Sequence, residues 1–320
     1  MAVTRPPIVV FAYHDVGYEC LEALIRHGSN IVGVFTHRDD PTENIWFKSV
    51  STLARAHCIP VYAPDSVNSA DWIERIRALR PQILFSFYYR NLICQEILDM
   101  AGLGAFNMHG SLLPRYRGRV PVNWAVLNGE TRTGATLHVM VKRPDAGEIV
   151  DQEEVPIGPL DTARQVFVRV TAAARRVLER QIDAIEAGNA PRRPQDEAAA
   201  SYFGARKPQD GRIDWTQPAQ RIFNLVRAVT RPYPGAFTEL DGRRLYIWWA
   251  LPRPDRHDGA PGAVLSVQPL TVNTGAGSLE IVTLQWQDGA EQPASDGTHG
   301  LRQGLRLGAL HASPCPDTAI

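Results

Sequence analysis

Two polar residues two positions apart, Asn107 and His109, are well placed in this 320-residue chain to do acid–base chemistry. They end a strand-like run and open a polar stretch that contains Gly110 and Gly118. Side chains two apart on a strand share a face, so both should project to the same side. A carboxamide can donate a hydrogen bond to a developing oxyanion, and an imidazole can take or give a proton near neutral pH. The pair is therefore a candidate catalytic site.

A third candidate, Asp145, stands on a turn between Pro144 and Gly147, after a second strand-like run. A carboxylate beside an imidazole favours the charged imidazolium and raises the histidine pKa. We expect Asn107, His109 and Asp145 to converge around one gap the size of a carbonyl group. His138 precedes this turn, but a lone histidine on a strand is usually structural, and His138 is interpreted as such.

The elements that must position these residues alternate between strand-like and helix-like segments. Short apolar runs predict strands, and amphipathic segments between them predict helices. The strands are expected at 8–12, 31–35, 60–62, 83–87, 104–108 and 136–141, and the helices at 19–27, 46–57, 71–79, 93–100 and 162–187. This alternation predicts an α/β fold with a Rossmann-like, mostly parallel sheet and helices on both faces. Ligands of such sheets bind beyond the carboxyl ends of the strands.

Two common nucleotide-binding motifs are missing. After the first predicted strand the chain continues as Tyr13-His14-Asp15-Val16-Gly17, which is not the Gly-x-Gly-x-x-Gly of a dinucleotide site. The chain also lacks the Gly-x-x-x-x-Gly-Lys of a phosphate-binding loop. The sequence therefore disfavours an enzyme that uses NAD or ATP.

A different pattern follows residue 188. Residues 190–210 are rich in proline and charge and are interpreted as a linker. After a helix predicted at 217–228, closely spaced strand-like runs suggest a small antiparallel barrel or sandwich.

Composition narrows the class of protein. Lys plus Arg equals Asp plus Glu at 34 each, which does not indicate a nucleic-acid or membrane partner. The four cysteines are scattered, so we expect reduced thiols and no zinc or other metal site. No signal peptide or apolar stretch of about 20 residues is seen, which predicts a cytoplasmic protein without a membrane span.

The stretch NMHGSLLPRYRGRVPVNWAVLNGETRTGATLHVMVKRPDAGEIV resembles the folate-dependent formyltransferases. Their signature is Asn-x-His, then Ser-Leu-Leu-Pro, then a distant Asp-x-Gly. Longer strings, including FAYHDVG, FTHRDDP, ILFSFYYRNLI and DGRIDWTQPAQRIFNLVRAVTRPYPGAF, are most similar to the formyltransferase part of ArnA, the bifunctional enzyme of polymyxin resistance. The resemblance runs from about residue 7 to Gln285, and the remainder looks unlike the family.

The resemblance implies a fold and an activity. The fold would be a Rossmann-like catalytic domain at 1–205, a smaller OB-like β-barrel domain at 206–310 and a tail at 311–320. The activity would be formyl transfer from 10-formyltetrahydrofolate to the 4-amine of UDP-4-amino-4-deoxy-L-arabinose, in lipid A modification and polymyxin resistance. Neither a metal nor NAD would take part.

The resemblance also implies roles for particular residues. Asn107, His109 and Asp145 would be catalytic. The folate would contact two loops and one arginine; these residues are Asn91, Leu92, Ile93, Arg119, Val141, Lys142, Arg143 and Pro144. Alternation would point Arg115, Arg117 and Arg119 the same way, toward a diphosphate or carboxylate.

Other functions compete with this one. Methionyl-tRNA formyltransferase shares the chemistry but needs a basic surface for tRNA, whereas the net charge here is zero. A second alternative is an enzyme of the same chemistry whose acceptor is another nucleotide-linked amino sugar, such as a dTDP-sugar. A third alternative is not an enzyme but a catalytically silent folate-binding protein.

The chain ends before the NAD-dependent decarboxylase half of ArnA, which predicts a free-standing enzyme and leaves a separate decarboxylase as a candidate partner. The oligomeric state is open.

Overall fold

The computed structural model describes residues 5–255 and 259–308, so the predicted tail at 311–320 and Cys315 lie outside the described residues. The chain forms two compact units. The first comprises residues up to Ala125, Thr131–Gly158 and Gln165–Ala205; the second comprises Val126–Glu130, Pro159–Arg164 and residues from Arg206 onward. Two short segments from the first 205 residues therefore belong to the second unit.

A seven-stranded sheet forms the centre of the first unit. The strands of this unit are β1 (Ile8–Ala12), β2 (Ile31–Phe35), β3 (Val61–Tyr62), β4 (Ile83–Phe87), β5 (Gly104–His109), β6 (Arg117–Gly118), β7 (Arg132–Val139), β8 (Ile149–Pro156) and β9 (Tyr202–Phe203). The large sheet has the order β3-β2-β1-β4-β5-β7-β8. Its first five strands are parallel, and β7 and β8 are antiparallel additions. The predicted Rossmann-like, mostly parallel sheet is confirmed.

The described residues up to Glu186 also form six α-helices. They are α1 (His14–His27), α2 (Val50–Ala56), α3 (Ala70–Ala78), α4 (Gln95–Leu98), α5 (Pro121–Leu127) and α6 (Ala163–Glu186). α1 begins five residues before its predicted start and ends at Gly28, whose φ of 75° suits a residue without a Cβ. α2 is shorter than predicted because the Ser49 hydroxyl caps it, accepting a hydrogen bond from the Thr52 amide.

Strand β8 was not predicted, because its sequence, IVDQEEVP, is rich in acidic residues. Two of those acids, Asp151 and Glu153, are paired with arginines of α6. Arg180 Nε lies 3.0 Å from Asp151 Oδ2, and Arg176 Nε lies 2.8 Å from Glu153 Oε1. Charges supplied by a helix thus offset the low strand propensity of these residues.

The second unit contains α7 (Ala219–Val229) and a six-stranded antiparallel sheet of β10 (Ala236–Leu240), β11 (Arg243–Arg253), β12 (Val264–Val267), β13 (Leu270–Asn273), β14 (Ser278–Trp286) and β15 (Gln292–Pro293). The order is β10-β11-β14-β13-β12, with β15 beside β14. The predicted β-sheet domain is confirmed, but among the described residues no strand pairing closes it into a barrel.

An irregular segment reaches both edges of this sheet. The Val264 amide of β12 donates to the Leu305 carbonyl at 2.8 Å, and the Gly308 amide donates to the Glu239 carbonyl of β10 at 2.8 Å. Backbone hydrogen bonds at each edge are thereby satisfied without a regular strand. No helix in the described ranges is both long enough and apolar enough to cross a membrane.

Helix α6 offers a test of how the first unit is stabilised. Leu178 is fully buried, whereas Val168 on the same helix is 51% exposed. We expect Leu178→Ala to lower the free energy of unfolding by about 2–5 kcal/mol, because it leaves a cavity. Val168→Ala should change that free energy by less than about 0.5 kcal/mol. Urea denaturation of both variants measures this, and equal effects would contradict the assigned burial.

Candidate active site

Asn107 and His109 lie at the carboxyl end of β5, where the pairing with β7 places two further polar side chains opposite them. Asn107 pairs with His138, and His109 pairs with Thr136. Directly opposed residues on antiparallel strands share a face of the sheet. The four side chains therefore project to one side, as the two-residue spacing predicts for the first pair.

His109 is oriented by the loop that follows it. The ring is 6% exposed, and Nε2 lies 2.8 Å from the Tyr116 carbonyl oxygen. Because a carbonyl can only accept, Nε2 carries the hydrogen. Nδ1 faces Asp145, at 3.6 Å from Oδ1. Nδ1 is thus the ring nitrogen on the side of the carboxylate.

Asp145 reaches this ring from the hairpin between β7 and β8. Its backbone is left-handed, with a φ of 56°, and its side chain is 12% exposed. Oδ2 accepts a hydrogen bond from the Gly118 amide at 2.8 Å. Burial by itself would raise the pKa of Asp145, but His109, His138 and the Gly118 amide together hold that pKa well below its usual range. The carboxylate is therefore ionised at neutral pH.

The Asn107 amide and His138 complete the cluster. Asn107 Nδ2 lies 3.1 Å from His138 Nε2 and 3.5 Å from Asp145 Oδ1. His138 Nδ1 donates to the Val139 carbonyl at 2.9 Å, so its Nε2 is the ring nitrogen that faces Asn107 and Asp145. The second N–H of Asn107 makes the longer contact, so an incoming oxygen can compete for it.

His138 is a site residue that the sequence did not identify, since its side chain lies 3.5 Å from Asp145 Oδ1 and touches Asn107. The signal that would have found it is the register between β5 and β7. Asn107 and His138 are 31 positions apart in the sequence, and nothing in the sequence shows that they are paired across the two strands.

The loop after β5 can take its course only with glycine at one position. A Cβ on Gly118 would lie 2.2 Å from the Phe203 carbonyl oxygen, and the φ of Gly118 is 100°. Thr136 fixes the other end of the loop, because its hydroxyl donates to the Ser111 carbonyl at 2.6 Å. The Gly118 amide is thereby held against Asp145.

The residues predicted to bind folate lie on exposed loops around this cluster. Ile93 and Met140, at the bases of the two loops, pack against the same hydrophobic cluster. Leu92 is 68% exposed and Val141 is 42% exposed. The other residues predicted to bind folate on these two loops are also exposed; they are Asn91, Lys142, Arg143 and Pro144. Their folate contacts remain predictions.

Arg119 joins one of these loops to the loop that follows β5. Its Nη2 donates to the Arg90 carbonyl at 3.1 Å, and the side chain is otherwise on the surface. The residue next to Asn91 is therefore tied to the segment that follows Gly118.

The arginine triplet does not point one way, contrary to expectation. Arg115 and Arg119 are exposed, but Arg117 is fully buried and pairs with Glu197. Alternation fails because Tyr116 and Gly118 both have positive φ, 59° and 100°, which turns the chain at each step. Arg117 is therefore unavailable to a diphosphate or carboxylate ligand. Within residues 5–255 and 259–308, no group of three or more His, Cys, Asp or Glu side chains is arranged to hold a metal ion.

Two family models match the chain. Residues 8–182 match the family described as formyl transferase, and residues 206–302 match the formyl transferase C-terminal domain. The chain belongs to the formyl transferase family. In this formyltransferase the match extends to residue 302, so the expectation that the family resemblance ends near Gln285 was wrong.

Solved structures share the fold of this formyltransferase. One is the N-formyltransferase from Helicobacter canadensis in complex with folinic acid and dTDP-3-aminofucose, with 19% identity, a TM-score of 0.67 and coverage of 87% of this chain and 99% of that one. Another is WlaRD, a sugar 3N-formyl transferase in the presence of dTDP and 5-N-formyl-THF, with 20% identity, a TM-score of 0.66 and coverage of 90% and 100%. HypX from Aquifex aeolicus in complex with tetrahydrofolic acid has 17% identity and a TM-score of 0.62, and the match covers 94% of this chain and 49% of HypX.

The loop that carries Asn91 depends on a neutral histidine. His37 Nε2 accepts a hydrogen bond from the Arg90 amide at 3.0 Å, and its ring stacks on Tyr89 at 4.3 Å. Burial and then the Arg90 charge lower the pKa of His37 to about 4, although Glu43 opposes them. Stability linked to this group is therefore present above the usual histidine pKa of about 6.5 and is lost as the pH falls toward 4.

We expect the free energy of unfolding of the wild type to fall when the pH is lowered from about 7.5 to about 5. After allowance for solvent screening, this fall should be about 1 kcal/mol larger in the wild type than in His37→Gln. Urea denaturation at both pH values measures the difference. His57→Gln, at an exposed position, controls for loss of a histidine in general. Parallel pH dependence in the wild type and His37→Gln would contradict a neutral His37.

Proposed function

We propose that the chain transfers the formyl group of 10-formyltetrahydrofolate to the 4-amine of UDP-4-amino-4-deoxy-L-arabinose. The observation that carries the chemistry is the convergence of Asn107, His109 and Asp145 within 3.5–3.6 Å in a chain of the formyl transferase family. The choice of sugar is supported by the likeness of its longer sequence strings to the formyltransferase part of ArnA. With that acceptor, the product would serve lipid A modification and polymyxin resistance.

The cluster suits the demands of formyl transfer. As the amine attacks the formyl carbon, negative charge develops on the formyl oxygen, and the nitrogen must lose a proton. The Asn107 amide can donate to that oxygen, an interaction typically worth about 3–4 kcal/mol. His109 can accept the proton at Nδ1 and pass it to the leaving nitrogen of the folate. The ionised Asp145 stabilises the imidazolium formed between these two steps.

The surrounding loops fit a folate donor. A pterin ring needs an apolar surface with polar backbone groups at its edge, and the exposed Leu92 and Val141 supply the apolar surface. Lys142 and Arg143 are exposed cations on the loop of Val141, and Arg119, which follows β6, is a third exposed cation, so the three are suited to a glutamate tail. Proximity of donor and amine would supply much of the remaining acceleration.

The acceptor is tested by offering the enzyme 10-formyltetrahydrofolate with UDP-4-amino-4-deoxy-L-arabinose, dTDP-linked amino sugars and charged initiator tRNA, and identifying products by mass spectrometry. We expect the highest kcat/KM with the UDP-sugar. Higher kcat/KM with a dTDP-sugar would overturn the assigned sugar while leaving the chemistry standing. Efficient formylation of tRNA would overturn the sugar class, and no formylated product from any acceptor would refute the activity itself.

A single variant tests the role of His109. We expect His109→Ala to lower kcat by about 10²–10⁴, because no other group accepts the proton at that point. Binding of 5-formyltetrahydrofolate, followed by calorimetry, should be retained, since the exposed loops make the folate contacts. His57→Ala is the matched control on the surface. Near-normal turnover in His109→Ala would refute the assignment.

A further inference from the structure

We propose that Gln195 is a positioning residue that holds the Asp145 turn in the geometry needed for formyl transfer. Gln195 lies in the segment after α6 that the sequence suggested was only a linker. This proposal rests on the proposed function, because the turn matters to catalysis only if Asp145 does. The side-chain amide of Gln195 joins the Asp145 turn to the guanidinium of Arg117, which is fully buried in the first unit.

Both N–H groups of Gln195 bind the turn. Nε2 donates to the Asp145 carbonyl at 2.8 Å and to the Gly147 carbonyl at 2.6 Å. The two acceptors are two residues apart and lie on either side of Ala146. One side-chain amide thereby fixes the backbone that carries the catalytic carboxylate.

The turn has reason to need such a contact. Asp145 has a φ of 56°, a conformation that side chains other than glycine adopt only when their surroundings impose it. Gly147 approaches the neighbouring strand so closely that a Cβ would lie 1.9 Å from the Val139 carbonyl oxygen. Inside the turn, the Ala146 amide reaches the Arg143 carbonyl at a long 3.3 Å.

Gln195 is itself anchored through its oxygen. Oε1 accepts from Arg117 Nε at 3.1 Å and Nη2 at 2.7 Å. Arg117 is fully buried and makes a bidentate pair with Glu197, at 3.1 and 2.6 Å, and also donates to the Tyr202 hydroxyl. A buried guanidinium is strongly destabilising unless it is paired, so these contacts hold Arg117 in one position. All four hydrogen-bonding sites of the Gln195 amide are therefore used.

The same arginine places the amide that binds the Asp145 carboxylate. Arg117 and Gly118 form β6, which pairs in parallel with β9, and the Gly118 amide donates to Asp145 Oδ2. Asp145 is thus held at two points: Gln195 binds its backbone carbonyl, and the Gly118 amide binds its carboxylate. Without the contact to Gln195, only the contact to Gly118 would remain, and the turn should become more mobile.

Two substitutions separate positioning of Asp145 from anchoring of Arg117. Gln195→Glu keeps acceptors for Arg117 but cannot donate to the two carbonyls while ionised. Gln195→Met, of similar length, loses contacts on both sides. Gln209→Glu, on an exposed residue, controls for the added charge. Thermal unfolding of each variant shows whether it is folded.

We expect Gln195→Glu to lower kcat about 10- to 100-fold while the KM for the amino sugar changes less than about 3-fold, because the catalytic carboxylate is displaced and the sugar contacts are not. Hydrogen exchange of the peptide spanning 140–148 should become faster in the same variant, and remain normal in Gln209→Glu. If Gln195→Glu keeps wild-type kcat and wild-type exchange in that peptide, Gln195 only anchors Arg117 and the proposal is overturned.

The exchange measurement does not depend on the substrate. If the wild type formylates none of the acceptors, the proposed function fails, yet faster exchange at 140–148 in Gln195→Glu still shows that Gln195 holds the turn. If the wild type is active and the variant loses kcat without faster exchange, the loss does not come from the turn and the positioning role is refuted.

Discussion

The ionised carboxylate of Asp145, almost excluded from solvent, is the constraint on which the rest of the site depends. A buried charge is tolerated only when its partners are already in place. Here the Gly118 amide binds one oxygen, while Asn107, His109 and His138 surround the other. These partners come from β5, β6 and β7, so an ionised carboxylate can be buried at this position only when the three strands are assembled.

The sheet topology explains how those partners meet. β5 is the last of the parallel strands, and its carboxyl end belongs to the rim where ligands of such folds bind. β7 then adds in the antiparallel direction, which sets His138 beside Asn107 and Val139 beside Phe106. The β7–β8 hairpin therefore leaves the sheet toward the amino end of β5, where the Met140 amide donates to the Ala105 carbonyl. Asp145 reaches His109, at 3.6 Å, because the hairpin folds back over the polar face of these strands.

Much of this arrangement could be predicted. The apolar runs of β1, β2 and β4 match their predicted bounds, because strands buried on both faces need continuous apolar sequence. β8 escaped prediction because two of its acidic residues, Asp151 and Glu153, are paired with arginines of α6, a contact remote in sequence. Convergence of Asn107, His109 and Asp145 was expected from their motif, but the place of His138 beside them depends on strand register. The burial of Arg117 depends on positive φ at its neighbours.

The segment after α6 shows most clearly why spacing rules reach a limit. Its proline and charge content is typical of a linker, and the sequence alone predicts one. In the structure, Glu197 supplies the counter-charge for Arg117, and Phe203 leaves room only for glycine at position 118. Charged residues that appear solvated in the sequence are therefore the partners of a buried cation. A polar segment can be ordered by the charge that it neutralises, so the structure that supports the candidate site extends to residue 203, beyond helix α6.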